Sequence, residues 1–146
     1  MLNDTNITIG VPVYNGAKTI EKCLQGIQNQ SLFANEILIS DDCSDDESVD
    51  TIKQILAPGF KLISGNYNKG LYGNHNAIAK IASSQWILFV HQDDVLTNNA
   101  VKMINTFIKS HHRIAFGCII GPHLHIQPYI NPDSVINADH AFLLFF

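Results

Sequence analysis

The chain has 146 residues, the length of one ordinary domain, and its 46% hydrophobic and 15% charged residues give it the composition of a folded globular protein. Nine Lys plus Arg against thirteen Asp plus Glu leave a net charge of −4, the wrong sign for affinity resting on nucleic-acid phosphates, so no nucleic-acid partner is expected. Cys23, Cys43 and Cys118 are widely spaced, the first residues lack a leader pattern, and no apolar run approaches the ~18–20 residues of a membrane span; the expectation is a cytoplasmic chain with free thiols.

Residues 7–13 are rich in β-branched side chains and end at Tyr14-Asn15-Gly16, a turn signal, which predicts a first strand. Over 17–30, Ile20, Leu24 and Ile27 recur at helical spacing with Cys23 on the same stripe. A second apolar run, 36–40, stops at Asp41-Asp42. Ser44 and Glu47 then stand three apart as in a capping box, ahead of Val49, Ile52, Ile55 and Leu56 on one helical face. Residues 61–64 are strand-like, 72–83 carry Ile78 and Ile81 at helical spacing, and 86–90 form an apolar run of the kind buried on both sheet faces.

Thr97 predicts a cap for a helix through Lys109, striped by Val101, Ile104, Phe107 and Ile108. Residues 114–120 predict a fifth strand. Units in this order predict an α/β fold, a mainly parallel central sheet flanked by helices, in one domain over 1–146 with no repeat or linker. The tail, 114–146, is the least determined part. It closes on Ala141-Phe142-Leu143-Leu144-Phe145-Phe146, which reads as an interrupted element of a longer chain rather than a solvated finish.

In an open parallel sheet, ligands bind beyond the carboxyl ends of the strands. Those ends carry Pro12, Tyr14 and Asn15; Asp41 and Asp42; Asn68 and Gly70; and His91-Gln92-Asp93-Asp94. Four acids on one edge repel one another, so the cluster calls for cations or donors. Asp93-Asp94 supply hard oxygen ligands suited to Mg²⁺ or Mn²⁺ holding a diphosphate, while Asp41 and Asp42 suit a base N–H or ribose hydroxyls. The first turn has no GxGxxG, and no GxxxxGK[ST] occurs, which argues against a dinucleotide fold and a P-loop NTPase.

These motifs resemble a known family. Pro12-Val13-Tyr14-Asn15 resembles the PxYN opening of family-2 glycosyltransferases with a GT-A fold. Residues 36–45 resemble their EIIVVDDGSxD, Asn68-Lys69-Gly70 their NxG, Asn76 the Asn of an Arg-Asn pair, and Phe89-Val90-His91-Gln92-Asp93-Asp94 their FLDxDD. Five motifs in order over 7–96 make the resemblance specific, with 7–96 as the donor-nucleotide-binding core. It implies an N-terminal nucleotide-sugar-binding part of a longer catalytic domain, incomplete at its C-terminus. Pro12 and Tyr14, with Asn15, would then line the nucleoside pocket, and Asp41 or Asp42 would hold the base or ribose. Asn68, Gly70, Asn76 and His91 would lie near the donor, and Asp93 with Asp94 would bind the divalent metal. The implied reaction is sugar transfer, with inversion, from a nucleotide-diphosphate sugar to a hydroxyl of a glycan or lipid-linked acceptor. Such chemistry serves cell-surface polysaccharide synthesis, at the inner face of the membrane through peripheral association.

Two departures stand out: His91 replaces the first Asp of DxDD, and His75 stands where Arg is frequent, with only partial charge at pH 7. The family's base lies downstream in an acidic motif, for which Asp139 is the candidate in this tail. His111-His112, His123 and His125 lack zinc-site spacing. Two rival readings stand beside the enzyme: a non-catalytic nucleotide-binding remnant, and a sugar-phosphate nucleotidyltransferase, for which Asn15-Gly16-Ala17-Lys18 is a poor Gly-rich loop.

Overall fold

The computed structural model describes residues 5–110 and the strands at 116–120, 125–128 and 141–145. In chain order these form β1 (Ile7–Val13), α1 (Ile20–Gln28), β2 (Glu36–Asp41), α2 (Ser48–Ile55), β3 (Phe60–Ser64) and α3 (Gly70–Ile81). There follow β4 (Trp86–Phe89), α4 (Ala100–Ser110), β5 (Phe116–Ile120), β6 (His125–Pro128) and β7 (Ala141–Phe145). The sheet order is β3-β2-β1-β4-β7-β5-β6. Its pairings are parallel except β5 with β6. The apolar run at the end of the sequence is thus a strand, inserted between β4 and β5 with Trp86 level with Ala141.

Strands buried on both faces explain why the apolar runs do not alternate. Ile7, Ile9, Val11 and Val13 of β1 pack with Ile37, Ile39, Trp86 and Leu88 under α1, α2 and α4. Leu38, Ile87 and Phe89 face the other way, against Ile78 and Ala82 of the α3 segment. Gly10 lets α3 come this close, because a Cβ there would stand 2.7 Å from Ile78 Cγ2.

Local chemistry moves several expected boundaries. The first helix begins at Ile20 rather than at 17, because the Gly16 carbonyl takes the Thr19 and Ile20 N–H groups in a turn. The Ser44/Glu47 capping box does not form: Ser44 donates to Asp41 instead, and α2 starts at Ser48 beside Asp46. The third helix starts at Gly70, two residues before the expected 72. Thr97 contributes its carbonyl to the Ala100 N–H. Residues 114–115 of the expected fifth strand, together with His111, His112, His123, Asp133 and Asp139, lie outside the described residues. Among the described residues no helix is long and apolar enough to cross a membrane.

At the amino ends of the strands sits a buried carboxylate. Glu36 Oε1 accepts the Thr8 hydroxyl at 2.7 Å, the Ser83 N–H at 2.6 Å and the Ser83 hydroxyl at 2.7 Å, with Lys61 Nζ 3.6 Å from Oε2. Burial pushes this carboxyl's pKa upward, but the Ser83 and Thr8 donors and Lys61 outweigh it and hold it below the usual 4.5. A depressed folded-state pKa adds stability that is complete above 4.5 and lost as pH falls through the folded value. Glu36→Gln should therefore lower unfolding stability by about 1–3 kcal/mol at neutral pH. In urea titrations across pH, the gap to wild type should close in acid.

Candidate functional site

The register fixes where the strands stop. Val13, Asp41 and Ser64 end level with one another, whereas β4 ends at Phe89, opposite Gly10. After Val90, whose N–H bonds the Gly10 carbonyl, the chain turns through His91 to Asp94 over the space left above β4. A cleft of about 530 Å³ opens there. Pro12, Val13 and Tyr14 line one wall, Asp42, Asn68, Gly70, Leu71 and Asn74 another, and His91, Gln92 and Asp93 the third.

The two adjacent acids after β2 have different surroundings. Asp41 is buried, and its carboxylate accepts the Ser44 hydroxyl at 2.5 Å and the Ser44 N–H at 3.2 Å. Ser44 Oγ in turn accepts the Asn15 N–H at 2.9 Å, and Asn15 Oδ1 accepts the Asp45 N–H at 3.0 Å. Asp46 takes the Ala17 N–H, while Ser48 donates to Asp46 and accepts the Gly16 N–H. Asp41, Asn15 and Asp46 thus sew the first turn to the loop before α2, and neither Asp41 nor Asn15 lines the cleft. Asp42 does, although it is only 2% exposed. Its Oδ1 accepts the Lys69 N–H at 2.8 Å and lies 3.9 Å from Lys69 Nζ, so one cation and one amide offset the buried charge.

Just before α3, Asn68 Oδ1 accepts the Gly70 N–H at 2.8 Å, and Gly70 takes φ +73° where the helix starts at the cleft. Asn76 faces solvent and is not part of the lining. The asparagine that lines the cleft is Asn74, 3% exposed, whose amide donates to the Ser40 carbonyl at 2.9 Å and the Val13 carbonyl at 3.3 Å. Two carbonyls fix which end of the amide carries nitrogen, and Oδ1 is left buried without a partner. Spacing i, i+4 from Gly70 could have flagged Asn74, as its place between two candidate ligands could have flagged Gln92.

At the end of β4, Asp94 does not line the cleft; its carboxylate stands 3.7 Å from His91 Nδ1. His91 meets the His75 ring edge-on at 5.6 Å, and His75 lies 4.6 Å from the Phe89 ring. His75 Nδ1 donates to the Leu71 carbonyl at 2.8 Å. Burial, and then the neighbouring His91, hold His75 below its usual 6.5 against the opposing Leu71 bond, so it is neutral at pH 7 and does not supply the charge of an arginine. Below this segment the Cys23 thiol donates to the His91 carbonyl at 3.3 Å. Burial, followed by the charges of Asp94 and Asp93, pushes its pKa up to about 12, so it stays a thiol. Among the described residues no three His, Cys, Asp or Glu side chains gather as a metal cluster; of the two acids after β4, Asp93 lines the cleft.

A parallel sheet whose carboxyl ends open on an acid-lined cleft is the arrangement that the GT-A resemblance implies, and the comparisons with known proteins agree with it. The chain belongs to Glycosyl transferase family 2, whose family model matches residues 8–140. Over 137 residues it is 28% identical to an Escherichia coli UDP-Glc:alpha-D-GlcNAc-diphosphoundecaprenol beta-1,3-glucosyltransferase, covering 92% of this chain and 54% of that one. It is similar in structure to S. aureus TarS in complex with UDP-GlcNAc, with TM-score 0.69 and 27% identity, over 78% of this chain and 33% of that one. A Pyrobaculum calidifontis mannosyltransferase in complex with GDP-Man and Mn²⁺ shares the fold at 20% identity and TM-score 0.68, over 80% and 36% of the two chains. The chain spans about half the length, or less, of the relatives it matches.

Cys43, exposed beside Asp42, takes φ +65°, a left-handed conformation that glycine adopts without strain and that stands where the family pattern has Gly. Cys43→Gly should raise stability by about 0.5 kcal/mol, the relief of the Cβ clash less the larger entropy of the unfolded chain. Thermal unfolding of the two proteins side by side measures it.

Proposed function

We propose that the chain is the donor-binding part of an inverting glycosyltransferase that moves a sugar from a nucleotide-diphosphate sugar to an acceptor hydroxyl, assisted by Mg²⁺ or Mn²⁺. The observation that carries this is the single cleft with Pro12, Tyr14, Asp42 and Asn68 on one side and His91, Gln92 and Asp93 on the other. Asp42, buried and acceptor-only, suits the N–H of a base or the hydroxyls of ribose; Tyr14, half exposed, offers an apolar face to the nucleoside. Asn68 and Gly70 shape the rim toward the sugar diphosphate, and Asn15 and Asp41 support the turn that presents Tyr14.

The chemistry of the donor set fits a divalent metal, with Asp93 held in the cleft wall and Asp94 one residue away beside His91. When bound, such an ion offsets the charge that builds on the leaving diphosphate. His91 shapes the wall around those phosphates. Inversion needs a base opposite the leaving group, and Asp139, its candidate, lies outside the described residues. Likeness to a diphosphoundecaprenol-dependent enzyme supports a lipid-linked acceptor, hence surface-polysaccharide assembly by a cytoplasmic protein at the inner face of the membrane.

Calorimetric titration with UDP, GDP and dTDP, each with and without Mn²⁺, tests the reading. At least one nucleotide should bind, and more tightly with metal. Asp42→Ala should weaken binding about tenfold even without metal. Asp93→Ala should remove the metal-dependent increment while leaving the metal-free affinity in place. No binding to a folded sample would sink the assignment, and binding without sugar transfer or donor hydrolysis would favour the non-catalytic module.

A further inference from the structure

Gln92 supplies both halves of a backbone pairing from one side chain. Its Oε1 accepts the Tyr14 N–H at 2.9 Å, and its Nε2 donates to the Tyr14 carbonyl at 3.0 Å. An N–H only donates and a carbonyl only accepts, so the Tyr14 backbone dictates the orientation of the amide. Main-chain pairing between the two segments runs to the Val90–Gly10 bond, and Gln92 continues it to Tyr14 by side chain.

The first turn also leaves room for the same amide. A Cβ on Gly16 would collide with Gln92 Oε1 and lie 2.6 Å from its Cδ. Gly16 does not have a positive φ, so its lack of a Cβ matters here for space: the turn leaves room for the amide, and a Cβ would push this side chain aside.

We propose that Gln92 is the positioning residue that couples the two sides of the cleft, holding the Tyr14 turn at a fixed distance from the Asp93 segment. The inference rests on the function proposed above. A ligand reaching from a nucleoside at Tyr14 to a diphosphate at Asp93 then meets both ends preorganised, and binding at one end raises affinity at the other. Without the clamp each end still binds, but the two add less.

The full chain carrying Gln92→Met, which keeps the bulk and removes both hydrogen bonds, or Gly16→Ala, which displaces the amide, provides the test. UDP, GDP and uridine are titrated with and without Mn²⁺, and thermal unfolding is recorded for each variant. In both variants the Mn²⁺-dependent gain in nucleoside-diphosphate affinity should fall about tenfold, with uridine binding changed less than about threefold. The double variant should fall no further than either single one. An unchanged metal-dependent gain in both variants overturns the coupling and leaves the proposed function standing, whereas a wild-type chain that binds no nucleotide overturns both. A variant that fails to fold also overturns it, because a clamp between two loops predicts only a small shift in unfolding midpoint.

Discussion

The shortness of β4 is the constraint from which the rest of the site follows. By stopping opposite Gly10 while β1 continues to Val13, it leaves the carboxyl edge of the sheet uncovered at its centre, and the acids after β4 can cross that gap. Had β4 run on in register, main-chain pairing would have filled the space where the cleft now lies. The same early stop leaves the end of β1 without a main-chain partner on that side. Backbone groups at the edge of a site need partners, and here a side-chain amide from Gln92 provides them.

A second constraint is charge. Four acids crowd this edge, and three of them are met by different groups. Asp41 is given over to Ser44, Asp42 to the Lys69 amide and ammonium, and Asp94 to His91, while Asp93 stands with Asp42 in the lining of the cleft. Adjacent residues of one type thus divide into scaffold and surface through which donors the loops bring to them. The loop before α2 draws on the same chemistry, as Asp46 and Ser48 take up the free N–H groups of the first turn.

Much of this was legible in the sequence, because buried parallel strands leave unbroken apolar runs and because ligand sites fall just beyond them. The order of the first eight elements follows directly from that pattern. Pairings decided by distant partners were not legible. Nothing local to the final apolar run tells that β7 sits beside Trp86, and nothing near Ser44 tells that Asp41 and Asn15 compete for it more effectively than a helix end does. Asn74 was hidden for a related reason: a polar residue in mid-helix reads as solvated, and its burial depends on where two strands end. Gln92 was visible at the right place, but its bonds run to main chain, which residue type does not reveal.

The thin packing of α3 gives the cleft an unequal pair of walls. Of its twelve residues only Asn74 and Ile78 are buried, whereas α1 buries five of nine. Local opening is governed by how many buried contacts a segment must break. The wall formed by α3 is therefore the compliant one, and the wall formed by β1 and its sewn turn is the rigid reference against which it moves. Any bulky group pressed into the cleft therefore meets less resistance from the helix than from the sheet.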